Sequence, residues 1–371
     1  MDRLSLSVSG SEGNGSGIDR RRFLKTTAGA AAGAAAARET DKLPRAASIG
    51  TLRGEMLYRP LGKTGVEISA IGLGGHHLGV PSLTDDESVR LIHQALDRGI
   101  NFLDNSWDYH GGRSELLVGK ALAQGGYRKK AFVMTKLDAR TKQLALEQID
   151  TSLQRLKVDH IDLIQHHEII RYDDPDRIFT AGGAMEGVLA AKQAGKVRFV
   201  GFTGHKDPRI HLYMLDVAAQ HGFHFDTAQM PLNVMDAHFR SFARLVVPRL
   251  LQEGIAVLGM KSLGGGEGII LKTGAVTAAE CIHYALSLPT ATVICGIDKQ
   301  EVLDQAFRLV KGFQLMSEQQ VESLLKKTRQ LALGGEYELF KTTAHFDATA
   351  KHADWLGEDP PYAKKLVPAT G

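Results

Sequence analysis

Asp104, Tyr109, Lys136 and His167 each close, or closely follow, a short apolar run. Their types form one acid–base set. A tyrosine hydroxyl with an ordinary pKa near 10 is a poor proton donor at neutral pH. A neighbouring ammonium would stabilise the phenolate and lower that value, which is the role expected of Lys136. Lysine is almost never fully buried unless paired, and Asp104 is the carboxylate at hand. A neutral His167 would hydrogen-bond a carbonyl oxygen and orient it. Such a set protonates an oxygen while a hydride reaches the adjoining carbon. No side chain supplies a hydride, so a cofactor must. Singly, each residue has a plainer use, as a helix cap, as loop packing or as half of an ion pair, and only the combination points to catalysis. His166 precedes His167, and successive strand residues point to opposite sides, so only one of the two can face the site.

The elements that must position this set repeat along the chain. Eight short apolar runs recur: Ile68–Leu73, Ile100–Leu103, Ala131–Thr135, Ile161–Gln165, Val197–Phe202, Thr227–Met230, Ile255–Met260 and Thr292–Ile297. Each is bounded by Gly or polar residues, as buried parallel strands are. Helical patterns separate them. In one, Leu146, Ile149, Leu153 and Leu156 share a face, and in the first, Asp85 and Asp86 stand as caps with Gly99 as the stop. Successive run ends lie 26 to 36 residues apart, one βαβ step each. Eight steps predict an α/β fold, a (β/α)₈ TIM barrel with an N-terminal hairpin and a C-terminal helical extension. The hairpin is Met56–Ile68, turning at Gly62-Lys63-Thr64-Gly65 and plugging the barrel bottom. Two further helical patterns follow Val310, then an irregular tail from about Gly335. No Gly-x-Gly-x-x-Gly follows a strand, which argues against a doubly wound sheet. In a TIM barrel, chemistry sits at the C-terminal strand ends, where the four residues fall.

Several stretches together make the chain similar to the aldo-keto reductase family over about residues 56–310. They are Tyr58-Arg59-Pro60-Leu61-Gly62-Lys63-Thr64-Gly65, Gly72-Leu73-Gly74, Phe102-Leu103-Asp104-Asn105-Ser106-Trp107-Asp108-Tyr109, Gly112-Arg113-Ser114-Glu115 with Gly119, Thr135-Lys136, and Asp162-Leu163-Ile164-Gln165-His166-His167. The resemblance implies NAD(P)H-dependent reduction of an aldehyde or ketone, with the tetrad on Asp104, Tyr109, Lys136 and His167. His167 is taken over His166 because the family's His stands five residues after the Asp, here Asp162. It also implies a cofactor site. Gly74 and Asp104 would border it. Thr203, Gly204 and Gln229 would hold the nicotinamide amide, although the family's usual Ser-Asn has become Thr-Gly and an aromatic is replaced by Leu232. Lys261, Ser262, Leu263 and Gly264 would form the pyrophosphate loop, where glycines let backbone N–H groups approach phosphate. Gly296, Lys299, Gln300 and Gln305 would lie at the adenosine phosphate. Asp298 would repel a 2′-phosphate and Lys299 bind one, so NADP(H) is expected ahead of NAD(H). No metal ligand is assigned.

Composition adds bounds. With 43% hydrophobic and 23% charged residues the chain is ordinary globular material. Its two cysteines, Cys281 and Cys295, are too few for a disulfide framework or a cysteine-ligated cluster. The net charge is +3, and removing the five basic and three acidic side chains of residues 1–37 leaves +1, so no nucleic-acid partner is expected. Asp19-Arg20-Arg21-Arg22-Phe23-Leu24-Lys25, followed by an Ala/Gly-rich run to Ala37, has the order of a secretory signal and resembles a twin-arginine one. That run is too short and weakly apolar to span a bilayer, so no stable membrane anchor is expected. The division expected is therefore a signal over 1–37, a linker over 38–55, the barrel over 56–334 and a tail over 335–371. Passage through the twin-arginine export machinery would make the protein periplasmic. Two rival readings stand: a metal-dependent TIM-barrel isomerase or hydrolase, drawn from the many histidines near the strand ends, and an exported barrel that keeps a trapped cofactor without free turnover.

Overall fold

In a computed structural model the described residues are 42–357. The signal expected at 1–37 lies outside them, as does the chain beyond Gly357. Eleven strands occur among the described residues. Three short ones, β1 (Thr51–Arg53), β2 (Met56–Pro60) and β3 (Glu67–Ser69), form an antiparallel sheet in that order. The other eight are β4 (Ile71–Gly74), β5 (Phe102–Asp104), β6 (Phe132–Leu137), β7 (Ile161–His166), β8 (Val197–Thr203), β9 (Thr227–Pro231), β10 (Ala256–Met260) and β11 (Thr292–Gly296). They pair in parallel, and β11 returns to β4, so the barrel closes.

The expected hairpin is present as β2 and β3, with Tyr58 opposite Ser69. Four details here differ from the sequence reading. The run Ile68–Leu73 is two strands, because Ala70 breaks it where the chain leaves the small sheet for the barrel. Residues read as linker contribute β1, whose Leu52 pairs with Leu57. After Val310 there is one helix before Gly335, Glu318–Ala332, and not two. The first long helix, Asp85–Asp97, is capped by Thr84 in a capping box with Glu87, rather than by its aspartates.

Two layers of core follow from strand alternation. Inside the barrel Phe102, Phe132, Met134, Leu163 and Leu258 pack together, and Leu61 and Ile68 of the hairpin close this cluster from below. Gly72 has no side chain because a Cβ there would meet Ile294 Cδ1 at 2.6 Å. The outward strand residues meet the helices in a larger core, for example Val133, Ile164 and Val200 against Ile149 and Val188. The interior is thus packed solid up to the C-terminal strand ends, where polar side chains begin.

The tail from Gly335 is not irregular throughout. It forms a short helix, Leu339–Thr342, and two 3-10 turns. Its anchor is Lys341, fully buried, which bonds Asp236 at 2.7 Å, Glu338 at 3.0 Å and the Phe239 carbonyl at 2.7 Å. A cation buried this deeply is tolerable only with such a full set of partners.

Candidate active site

Asp104 ends β5, Lys136 is next to last in β6, and His167 follows β7, so three neighbouring strands deliver them to one mouth. Lys136 is 1% exposed. Its Nζ donates to Asp104 Oδ1 at 2.5 Å, to the Asn105 carbonyl at 2.7 Å and to the Tyr109 hydroxyl at 3.2 Å. The tetrad named from sequence is therefore brought together, with the His167 ring centroid 5.9 Å from that of Tyr109.

The motif after Tyr109 is what aims it. Gly112 has φ +91 and a Cβ there would run into the Arg155 guanidinium. Arg155 donates to the Trp107 carbonyl at 2.8 Å. Ser114 donates to the Gly75 carbonyl at 2.6 Å. Buried Glu115 accepts from Thr135 Oγ1 at 2.6 Å, one residue before Lys136. The loop carrying Tyr109 is thus tied to β4, β6 and the helix Lys142–Leu156.

The electrostatics correct two expectations. Lys136 does not bring Tyr109 down. Burial, followed by Asp104, Asp108, Asp138 and Glu168, pushes the phenol well above 10. Asp104 already compensates the ammonium, so the surrounding carboxylates prevail. Tyr109 is firmly protonated. His167 is shifted toward its charged form, where a neutral ring was expected. Burial opposes its charge, but Asp138 and Asp108 outweigh burial and raise its pKa above the ordinary value. Its Nδ1–H donates to Asp138 Oδ1 at 2.9 Å, with Ser106 Oγ at 3.2 Å. His166 faces the other way, toward Phe225 in the outer core.

Asp108, Asp138 and His167 are also the one grouping of three possible metal-ligand atoms among the described residues. Hydrogen bonds already use its facing atoms: Nδ1 is spent on Asp138, and Ser106 Oγ donates to Asp108 Oδ1 at 2.6 Å. This favours a proton-bearing cluster over a metal centre.

Several residues expected to hold a cofactor stand at the same strand ends, Thr203 closing β8, Gln229 within β9 and Lys261 after β10. Thr203 Oγ1, Gln229 Oε1 and Ser262 Oγ are buried without a hydrogen-bond partner. Buried polar atoms are normally paired, so three bare ones around one mouth mark where a polar ligand would bind. Gln229 is held by donation from Nε2 to Asp104 Oδ2 at 2.5 Å, leaving its oxygen free. Lys261 follows β10 in a left-handed conformation, φ 55, with no carboxylate bonded to it. Burial, reinforced by repulsion from Lys136, pushes its pKa down to about 8. Gly264 and Gly265 have φ +88 and +107, so their backbone is shaped as only glycine readily allows. These observations fit a dinucleotide. Gly204 cannot contribute a side chain, since a Cβ there would lie 2.3 Å from the Ile169 carbonyl. Leu232 is fully buried and packs against the barrel beside Gly259. Gly74 and Gly296 end adjoining strands, with His77 lying over Gly296. Lys299 is exposed just before the helix Gln300–Lys311, Gln300 donates to Asp304 Oδ1, and Gln305 is exposed on the next turn.

Sequence reasoning missed Asp138. Asp138 stands two residues after Lys136, hence on the same side of the chain, and that spacing was a usable signal. Glu168 accepts from the Ala348 and Thr349 N–H groups, both at 2.8 Å. His205 and Lys206 hold Asp347 at 3.0 and 2.8 Å. The tail therefore crosses the mouth. A Cβ on Gly265 would lie 3.5 Å from the Phe346 ring, and Trp355 meets Trp107 edge to face at 5.3 Å.

The sequence model of the Aldo/keto reductase family matches residues 70–275. Among curated relatives, the aldo-keto reductase YhdN of Bacillus subtilis is 32% identical over 235 residues, 60% of this chain and 65% of that protein. The L-galactose dehydrogenase of Arabidopsis thaliana is 32% identical over 155 residues, 39% of this chain and 48% of that one. The chain thus spans less than two thirds of the length of either. The holo form of aldo-keto reductase AKR11C1 from Bacillus halodurans superposes with a TM-score of 0.59 at 23% identity, over 72% of this chain and 96% of that one, a likeness of fold.

Proposed function

The chain belongs to the aldo/keto reductase family, and on that premise we propose that it is an NAD(P)H-dependent oxidoreductase reducing an aldehyde or ketone, sugar-derived carbonyls included, to the alcohol with Tyr109 as proton donor. One observation carries this reading: a single buried ammonium, Lys136 Nζ, bonds both Asp104 and the Tyr109 hydroxyl. The hydride is what a reduced nicotinamide supplies when bound. Thr203 and Gln229, with their bare oxygens, would take its amide, and Lys261, Ser262, Leu263 and Gly264 the pyrophosphate. Lys299 would face a 2′-phosphate, which favours NADP(H) over NAD(H).

The chain's own part is to deliver a proton. As a carbonyl oxygen gains charge, the Tyr109 proton passes to it. The phenolate left behind lies against the Lys136 ammonium, 3.2 Å away. The high pKa of the resting phenol keeps the proton in place until an alkoxide, a far stronger base, develops. His167 orients the oxygen.

Fluorescence titration of residues 38–371 with NADPH and NADH tests the cofactor, and Tyr109→Phe tests the acid. The variant should bind nucleotide as before and lose about 10²- to 10⁴-fold in kcat, the usual contribution of a positioned acid. Wild-type turnover in it would assign the proton elsewhere. No saturable nucleotide binding would overturn the whole reading.

We further read residues 1–37 as a twin-arginine signal, and the protein as exported to the periplasm. The tail lies beside the loop that would take the pyrophosphate, with Phe346 near Gly265 and a Cβ on Gly264 only 3.1 Å from the Tyr337 carbonyl, and would slow the release of a bound cofactor. Among the described residues no helix is long and apolar enough to cross a membrane.

A further inference from the structure

His167 has more negative charge around it than an orienting hydrogen bond requires. Asp138 is fully buried and fixed from behind, since Gln148 Oε1 accepts from its own N–H at 2.9 Å and from that of Ala139 at 3.0 Å. Its Oδ1 meets His167 Nδ1 at 2.9 Å, while its Oδ2 is buried with no partner. Asp108 Oδ1 lies 3.7 Å from the same nitrogen and is linked to it through the Ser106 hydroxyl. Glu168 approaches from the other side, its oxygens taken by the tail N–H groups.

The cations nearby do not compensate this pair. The Arg140 guanidinium bonds Asp174 and the carbonyls of Asp138, His167 and Glu168, not the Asp138 carboxylate. Lys136 is bonded to Asp104 and stands behind Tyr109. A buried carboxylate with one bare oxygen, opposite a neutral ring, would be a steep penalty. Opposite a charged ring it is an ion pair.

Resting on the reductase reading, we propose that Asp138 and Asp108 are positioning residues that hold His167 as an imidazolium, so that its Nε2–H offers a full positive charge to the substrate oxygen while Tyr109 supplies the proton. His167 keeps its own protons throughout. The proton transferred leaves Tyr109 alone, and the hydride arrives on carbon. A cation fixed at the oxygen stabilises the developing alkoxide more than a neutral donor would. Asp108 is the second holder: burial and then Asp138 push its pKa up to about 6, so its charge is present above that pH. Activity then depends on the protonated ring and falls as pH rises past its pKa.

Asp138→Asn tests this. The amide oxygen can still accept from Nδ1–H, so only the charge is removed. Histidine-selective ¹⁵N NMR, with the His167 signal assigned by its loss in His167→Gln, gives the titration midpoint directly. In wild type it should lie above the free value near 6.5. In Asp138→Asn it should fall by about one pH unit or more, and in Asp108→Asn by less. The high-pH limb of kcat/KM should move down in step, with nucleotide affinity unchanged. A wild-type midpoint below 6.5, or one that neither substitution moves, overturns the proposal. Should Asp138→Asn not fold, Asp108→Asn and Ser106→Ala read the same midpoint. The NMR result does not need turnover. Shifted midpoints in a protein that reduces no carbonyl would sink the reductase reading and leave the ion pair, whereas turnover with fixed midpoints would do the reverse.

Discussion

His166 and His167 are neighbours in sequence and should respond to acid in opposite ways. His166 is fully buried against the outer core, and neither ring nitrogen has a partner. Burial, with a smaller contribution from Arg140, pushes its pKa down to about 3. The unfolded chain titrates near 6.5. The native ring is therefore neutral where the unfolded ring takes a proton. Its share of stability is complete above pH 6.5 and is lost as pH falls from 6.5 toward 3. Between pH 7 and pH 5 the linkage relation makes that loss about 2 kcal/mol. His166→Leu removes the titration together with the two bare nitrogens. Urea unfolding followed by far-UV circular dichroism at pH 7 and pH 5 measures the difference, and titrations common to both proteins cancel. Relative to wild type, the variant should gain about 2 kcal/mol between the two pH values, or about 0.7 M in midpoint for an m-value near 3 kcal/mol/M. Parallel pH dependence would mean that His166 is already charged in the native state, and the outward placement of this ring would be wrong. His167, its pKa raised, contributes with the opposite sign: its stabilisation is present below 6.5 and disappears as pH rises through the native value.

Glu168→Gln should loosen the tail, because an amide replaces a carboxylate that accepts from two backbone N–H groups. Release of bound NADPH, followed by stopped-flow fluorescence chase, should quicken by about tenfold, the equivalent of one lost hydrogen bond, and an unchanged rate would separate the tail from cofactor retention. Substituting Arg20 and Arg21 together by Lys should leave the protein in the cytoplasm on fractionation, and undiminished periplasmic recovery would remove the twin-arginine reading.

The barrel was legible because it repeats: an apolar run every 26 to 36 residues is a periodic signal, and most runs are followed by a polar residue, Asp104, Lys136, Thr203 and Lys261 among them. The three residues around Tyr109 were legible for the same reason, since strand order brings 104, 136 and 167 side by side. The breaks in the reading are aperiodic. Ala70, where the run Ile68–Leu73 divides, is neither Gly nor Pro, and the strand ends where the partner changes from β2 to β11. Lys341 reads as a surface residue of a short amphipathic stretch, because its partner Asp236 lies 105 positions away. The same holds for Asp347 and His205, 142 apart. Contacts of that separation leave no local trace in composition or spacing.

The direction of the Tyr109 shift follows from counting charges that the sequence reading left out. Lys136 is one cation, and Asp104 answers it at 2.5 Å. What remains around the phenol is Asp108, Asp138 and Glu168, against which stand His167 and the more distant Lys261. A second cation held at His167 therefore does for the mouth what Lys136 cannot do alone. It leaves the hydroxyl protonated at rest, because the carboxylates still surround it. It also sets positive charge where an oxygen would become negative. Rest and reaction place different demands on one tyrosine, and two cations, each bonded to its own carboxylate, meet them separately. Removing the Asp138 charge should accordingly affect the reaction more than the resting phenol, which keeps Asp104 and burial to hold its proton.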